Sequence, residues 1–301
     1  MFVARLLKEQ DVELPGRIIL MFTADEESGG SHGTEYLLKE GLVTGDACVI
    51  GETAGRDIGV ADKGNLHVKL ITHGKTAHGA RPFEGENAIE KLMRAVPLVM
   101  GLGEQDLNLP ASYLEIVRRT LPYYEKRAKK FGVVLADYEK ALTHVTMCCS
   151  LIRGGMKKNV VPDLAEAEFD VRFPPGIEMS QIRERLLHII HGSDIKGIEI
   201  QLLDENEATF QDIDCDIFRA AERAIPLAGG STKPLALVKT SITDARHMRK
   251  AGIPTIILGH DGSGGHVPNE YSEVEEVMFT TRAYLYTILE YFNADGRNEH
   301  K

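Results

Sequence analysis

The chain has 301 residues, 43% hydrophobic and 27% charged, with a formal net charge of -10. That length holds two domains and a sizeable core, and the acidic balance argues against nucleic acid, whose phosphates need a concentrated basic surface. No apolar run is long enough to span a membrane, no signal-peptide core is visible, and Cys48, Cys148, Cys149 and Cys215 show neither C-x-x-C spacing nor a secreted framework, so a reducing cytoplasm is the expected compartment.

In chain order, Phe2, Leu6 and Leu7 predict the tail of an amphipathic helix feeding the apolar run Ile18-Ile19-Leu20-Met21-Phe22. Such a run reads as a strand buried on both faces of a parallel sheet. It ends in Asp25-Glu26-Glu27 and the pair Gly29-Gly30, at the carboxyl end of the strand, where open α/β sheets bind ligands. Neighbouring residues on extended chain point opposite ways, so Glu26 and Glu27 take different tasks, one holding a metal and the other facing water or substrate. The plainer alternative is a charged loop. Thr34 to Lys39 predicts a short helix, and Ala47 to Ile50 a second buried strand ending in Gly51-Glu52-Thr53. Two such strands in one sheet bring Glu52 towards Glu26 and Glu27; a solvated turn is the alternative.

From about Gly59 the pattern alternates. Leu66, Val68 and Leu70 interleave with His67 and Lys69, then a loop from Thr72 to Pro82 carries His78, and Ile89, Leu92, Met93, Val96, Val99 and Met100 recur at helical spacing. Val145 to Leu151 and Ala165 to Phe173 alternate as strands, Ile182, Leu186, Ile189 and Ile190 predict a helix, and Ile198, Ile200 and Leu202 a last strand. This β-α-β-β-α-β order is the ferredoxin-like pattern. An extra segment, 104–143, is read as a helical hairpin whose stripe is Phe131, Leu135, Tyr138 and Leu142, a packed embellishment. Beyond Phe210 a helix through Ile217 and Ile225, started by Asp212 or Asp214, is followed by the loop Thr240 to Arg246 and a buried strand Pro254 to Leu258. The glycine-flanked loop after it lacks the order of a phosphate-binding loop, and its His266 suits a metal ligand. The expected architecture is therefore α/β: a doubly wound, mostly parallel sheet, 1–58 and 207–301, with an inserted ferredoxin-like α+β lid, 59–206.

Six motifs in this order carry a resemblance: Asp25-Glu26-Glu27, Gly51-Glu52, Gly74 to Pro82 with His78, Asn159-Val160-Val161-Pro162, Thr243-Asp244-Ala245-Arg246 and Gly265-His266-Val267-Pro268-Asn269-Glu270. Together they resemble the di-zinc aminoacylase and exopeptidase family of acetylornithine deacetylase, succinyl-diaminopimelate desuccinylase and glutamate carboxypeptidase. The resemblance implies a hydrolase of a small N-acyl amino acid or dipeptide, dimeric through its lid, with two zinc ions per complete site and cobalt or manganese as alternatives. It implies Glu26 as general base, Glu27 and His266 as ligands of one metal, Glu52 as ligand of the other, and His78 as a group reaching across the dimer to the scissile carbonyl. It further implies Asn159 and Arg172 as contacts of a substrate carboxylate, Arg172 through a two-pronged guanidinium bond, with Thr243 and Arg246 adding contacts. On pattern alone Arg172 reads equally as a solvent-facing strand residue.

The family's His-x-Asp motif and second, bridging Asp have no counterpart before Ile18. Two carboxylates and one imidazole do not close two zinc sites. The expectation is that turnover is impaired in this chain by truncation, or that a second chain completes it, with bare apolar surface where further elements belong. The alternative is a non-catalytic dimerising or binding module on the same scaffold. A metal-free pair of carboxylates of glycosidase type is the third reading, and the His266 loop gives it no support.

Overall fold

A computed structural model describes residues 1–260, 262–263 and 267–294. His266 lies outside the described residues. The chain divides into two compact units, one of 1–62, 112–133 and 209–301, the other of 63–111 and 134–208.

The first unit contains α1 (Phe2–Glu9), α2 (Thr34–Lys39), β1 (Cys48–Ile50), β2 (Ile58–Asp62), most of α4 (Ala111–Phe131), β7 (Thr209–Phe210), α7 (Asp216–Leu227), β8 (Ala236–Lys239), α8 (Ala245–Lys250), β9 (Thr255–Ile257) and α9 (Val274–Ala294). Its sheet is mixed: β1 pairs with β9 and β2 with β8 in parallel, while β2 pairs with β7 and β9 antiparallel. β2 and β9 are buried throughout, as expected of strands covered on both faces. Helix α7 buries Ile217, Phe218, Ala220, Ala221, Ala224 and Ile225 on one stripe. Its N-cap position is Cys215, with no side-chain cap bond, rather than Asp212 or Asp214: Asp212 accepts from the Asp214 amide at 2.9 Å, and Asp214 pairs with Arg219.

The second unit contains β3 (Gly64–His73), α3 (Ala88–Met100), α5 (Leu135–Thr143), β4 (Thr146–Gly154), β5 (Leu164–Phe173), α6 (Met179–His191) and β6 (Ile198–Asn206). Its strands lie in the order β4-β5-β3-β6, all antiparallel, which is the ferredoxin-like arrangement read from the sequence. Leu66, Val68 and Leu70 of β3 and Ala165, Ala167, Phe169, Val171 and Phe173 of β5 form one buried face with α3 and α6. Asn87 starts α3 by accepting from Ile89 N and Glu90 N at 3.0 and 3.3 Å. Pro97 lies inside α3 without ending it.

Two expectations need correction. Ile18 to Phe22 is not a buried strand: no ladder is formed there, and Ile19, Leu20 and Phe22 are 45, 49 and 73% exposed. An apolar run becomes a strand only where a neighbouring backbone accepts its amides, and none among the described residues does. The segment 104–143 does contain two helices, but not one shared stripe. α4 ends at Phe131, which is 56% exposed, and Gly132 at φ 66° breaks the periodicity before α5. The buried face of α4 is Tyr113, Ile116, Val117, Thr120, Tyr124 and Ala128 instead.

Candidate active site

The acids after the apolar run form a tight turn. Asp25 takes a left-handed conformation, Glu26–Ser28 make one 3-10 turn, and Gly29 and Gly30 have φ of 105° and 68°. Gly30 N donates to Asp25 O at 2.7 Å and Gly29 N to Glu26 O at 3.0 Å. The Asp25 carboxylate is directed away from its neighbours, accepting from the His32 amide at 2.9 Å, and that bond lowers its pKa. Glu26 is half-buried and Glu27 exposed; they lie on a 3-10 turn, not on the extended chain from which opposite directions were expected. Glu52, half-buried, accepts from the Thr53 amide at 2.6 Å through Oε1. Its loop is held against β9, with Ala54 N donating to Gly259 O at 2.8 Å.

These carboxylates share one neighbourhood. Burial, then the negative charges of Asp244, Glu52 and Glu27, push the Glu26 pKa up to about 7, with Arg246 opposing them. Shifts of this kind cluster at functional sites and also occur in structural networks of charges.

Behind the turn lies a buried polar network. Asp62 and Arg249, 1 and 3% exposed, pair at 2.6 Å, and Thr243 Oγ1 donates to Asp62 at 3.3 Å. Thr243 and Arg246 are only 1 and 2% exposed. Arg246 Nη1 donates to Thr243 O at 2.9 Å and Nη2 to Gly29 O. Asp244 Oδ2 accepts from Thr34 Oγ1 at 2.5 Å, while its Oδ1 is buried with no hydrogen-bond partner. The sequence gives His247, Asp62 and Arg249 no role, and Asp244 none beyond its place in the motif Thr243 to Arg246. Only the polar run Thr243 to Arg246 hinted at them, because partners 181 to 217 positions away in sequence cannot be paired by inspection.

In the second unit His78 and Asn159 come together. Gly79 N donates to Asn159 O at 2.7 Å, and His78 bridges Val160. Ala80 N donates to His78 Nδ1 at 3.1 Å, so in the neutral ring the proton sits on Nε2 and that nitrogen is a donor. Arg172, half-buried, makes a forked bond with Asp170 of its own strand, at 2.7 and 3.2 Å.

Residues 60–192 match the M20 peptidase dimerisation domain. A probable succinyl-diaminopimelate desuccinylase of Staphylococcus aureus is 31% identical over 201 residues, 65% of this chain and 47% of that relative. The succinyl-diaminopimelate desuccinylase of Sulfurovum is 26% identical over 290 residues, 92% of this chain and 68% of the relative. Residues 60–192 are thus similar to the dimerisation domain of M20 peptidases, and the relatives named are desuccinylases. The chain spans about half the length of the first of these relatives. Among solved structures, an M20 metallo-carboxypeptidase from Sulfolobus solfataricus superposes with a TM-score of 0.77 at 20% identity, covering 97% of this chain and 74% of its own. A tripeptidase from Staphylococcus aureus gives 0.73 at 21%, covering 97% and 68%. These likenesses establish the shared α/β fold.

The Sulfolobus solfataricus structure is by name a metallo-carboxypeptidase. Among the described residues no three His, Cys, Asp or Glu side chains are grouped to hold an ion. Glu27 and Glu52 offer carboxylate oxygens alone, so the described residues do not by themselves close a metal site. No helix among them is long and apolar enough to cross a membrane.

Proposed function

We propose that the chain carries the acid turn and lid of a metal-dependent hydrolase that cleaves the amide bond of a small N-acyl amino acid or dipeptide. The observation that carries this reading is the turn that sets Glu26 and Glu27 near Glu52 and Asp244, whose negative charges all act on the Glu26 carboxyl. The names of the relatives, desuccinylases and peptidases, support the substrate class. Glu26 is the general base that takes a proton from the attacking water. Glu27, Glu52 and His266 are the proposed metal ligands, for zinc, two per complete site, with cobalt or manganese as alternatives. His78 supplies an Nε2–H donor to the oxyanion across a homodimer, and Asn159 and Arg172 contact the substrate carboxylate. Arg172 must exchange its Asp170 fork for that contact. The lid is proposed to span 59–206 except for 112–133, which belongs to the first unit, and the catalytic domain 1–58 with 207–301.

The test is release of free amine from a panel of N-succinyl, N-acetyl and dipeptide substrates with added Zn2+. Glu26→Gln is expected to lower kcat by about 100-fold or more, since a positioned base contributes roughly two to four orders of magnitude. A second reading, a non-catalytic dimerising or binding module, is favoured by the exposed apolar run through Phe22. It predicts no release from any substrate and a Glu26→Gln variant indistinguishable from the parent.

A further inference from the structure

The acid turn is conformationally demanding. Three of its six residues, Asp25, Gly29 and Gly30, have φ of 73, 105 and 68°, in the left-handed region that only glycine enters freely. Its internal bonds occupy the carbonyls of Asp25, Glu26 and Gly30, which accept from Gly30 N at 2.7, Gly29 N at 3.0 and Glu35 N at 3.0 Å. The Gly29 carbonyl is left for α8. It accepts from Arg246 Nη2 and from His247 Nε2, the latter at 3.0 Å. A carbonyl cannot donate, so His247 carries its proton on Nε2.

We propose that Arg246 and His247 are positioning residues that brace the Gly29 carbonyl and thereby fix the turn presenting Glu26 and Glu27. Only the catalytic consequence rests on the hydrolase reading. The guanidinium is anchored at its other end as well, by Nη1 to Thr243 O at 2.9 Å, and Thr243 is tied to Asp62, which pairs with Arg249. Both terminal nitrogens of Arg246 thus donate to main-chain oxygens in a side chain that is 2% exposed, an arrangement that suits bracing better than an open two-pronged contact with a substrate carboxylate. The same segment grips the far side of the turn, where Asp244 accepts from Thr34 at the start of α2 at 2.5 Å. Five residues, 243–247, therefore link the buried Asp62–Arg249 pair to the acids at the surface.

Amide hydrogen exchange on Arg246→Met tests the brace without reference to activity. Exchange at Gly29 and Gly30 is expected to accelerate by about 10-fold or more, as local opening becomes easier, while amides of β5 keep their protection. In a chain that hydrolyses substrate, kcat falls by about 10-fold or more with KM changed by less than about 3-fold. Should Arg246→Met fail to fold, His247→Phe and His247→Gln serve. The first accelerates exchange at the turn, and the second, whose amide N–H can still reach the carbonyl, restores most of the protection. Unchanged exchange at Gly29 and Gly30 would overturn the brace, as would an increase spread evenly over the molecule. A raised KM at constant kcat would instead make Arg246 a substrate contact. If the parent chain hydrolyses nothing, the hydrolase reading fails while the exchange result still decides the brace.

Discussion

At the scale of single residues, the acids and what lies behind them behave differently under sequence reading. Glu26, Glu27 and Glu52 stand out as candidates because carboxylates at the ends of apolar runs are local signals. The burial of Arg246 is not legible, because its partner Gly29 lies 217 positions away. A Cβ on Gly30 would sit 2.3 Å from Asp244 Oδ1, at a φ of 68°. Gly30→Ala is therefore expected to lose about 1–3 kcal/mol, measurable as a lowered midpoint in urea. Lys63 offers a pH test in the second unit. It is 1% exposed and donates to Ala141 O at 2.5 Å and Thr146 Oγ1 at 3.2 Å. Burial first, then the Arg172 charge, pull its pKa down to about 7 from 10.5. Between those values the unfolded chain holds a proton that the folded chain has released, so stability rises with pH from about 7 towards 10.5. Urea unfolding followed across that window should show the rise in the parent chain and a flatter profile in Lys63→Met.

At the scale of elements, regular periodicity was read well and dependence on a neighbour was not. The strands β3 and β5 and the helices α3 and α6 followed from alternation and helical spacing, since each has one covered face. The short β2, buried throughout, carries no alternation to read, and β7 is two residues long. The run Ile18 to Phe22 had the composition of a strand, yet a strand is defined by its partner. Helix α4 shows the converse, an element whose task is set by what it touches. Thr120 Oγ1 donates to Ala236 O at 2.7 Å and accepts from Val238 N at 3.1 Å, so one hydroxyl completes the hydrogen bonding of β8, and Tyr124 adds a bond to Val238 O at 3.1 Å. Thr120→Val keeps the shape and strands a buried N–H and C=O. It is expected to destabilise the chain by about 1–3 kcal/mol, checked by thermal unfolding, with Tyr124→Phe milder.

At the scale of the whole molecule, order supplied what no single motif could. Six short motifs in sequence, each common alone, pointed to one family, and the match of residues 60–192 to a peptidase dimerisation domain agrees with it. A homodimer is the expected solution state. Sedimentation should give twice the 33.2 kDa of one chain, and a monomer at micromolar concentration would remove the case for His78 acting across an interface. The central proposal is that Glu27, Glu52 and His266 are metal ligands. Its most direct test is zinc per chain by elemental analysis after zinc addition and desalting, for the parent and for a Glu27→Ala, His266→Ala double variant. The account predicts about one zinc or more per parent chain, lost in the variant, because removing two ligands leaves too few to hold the ion. Zinc retained equally by the variant, or less than about half an ion on the parent, would contradict it.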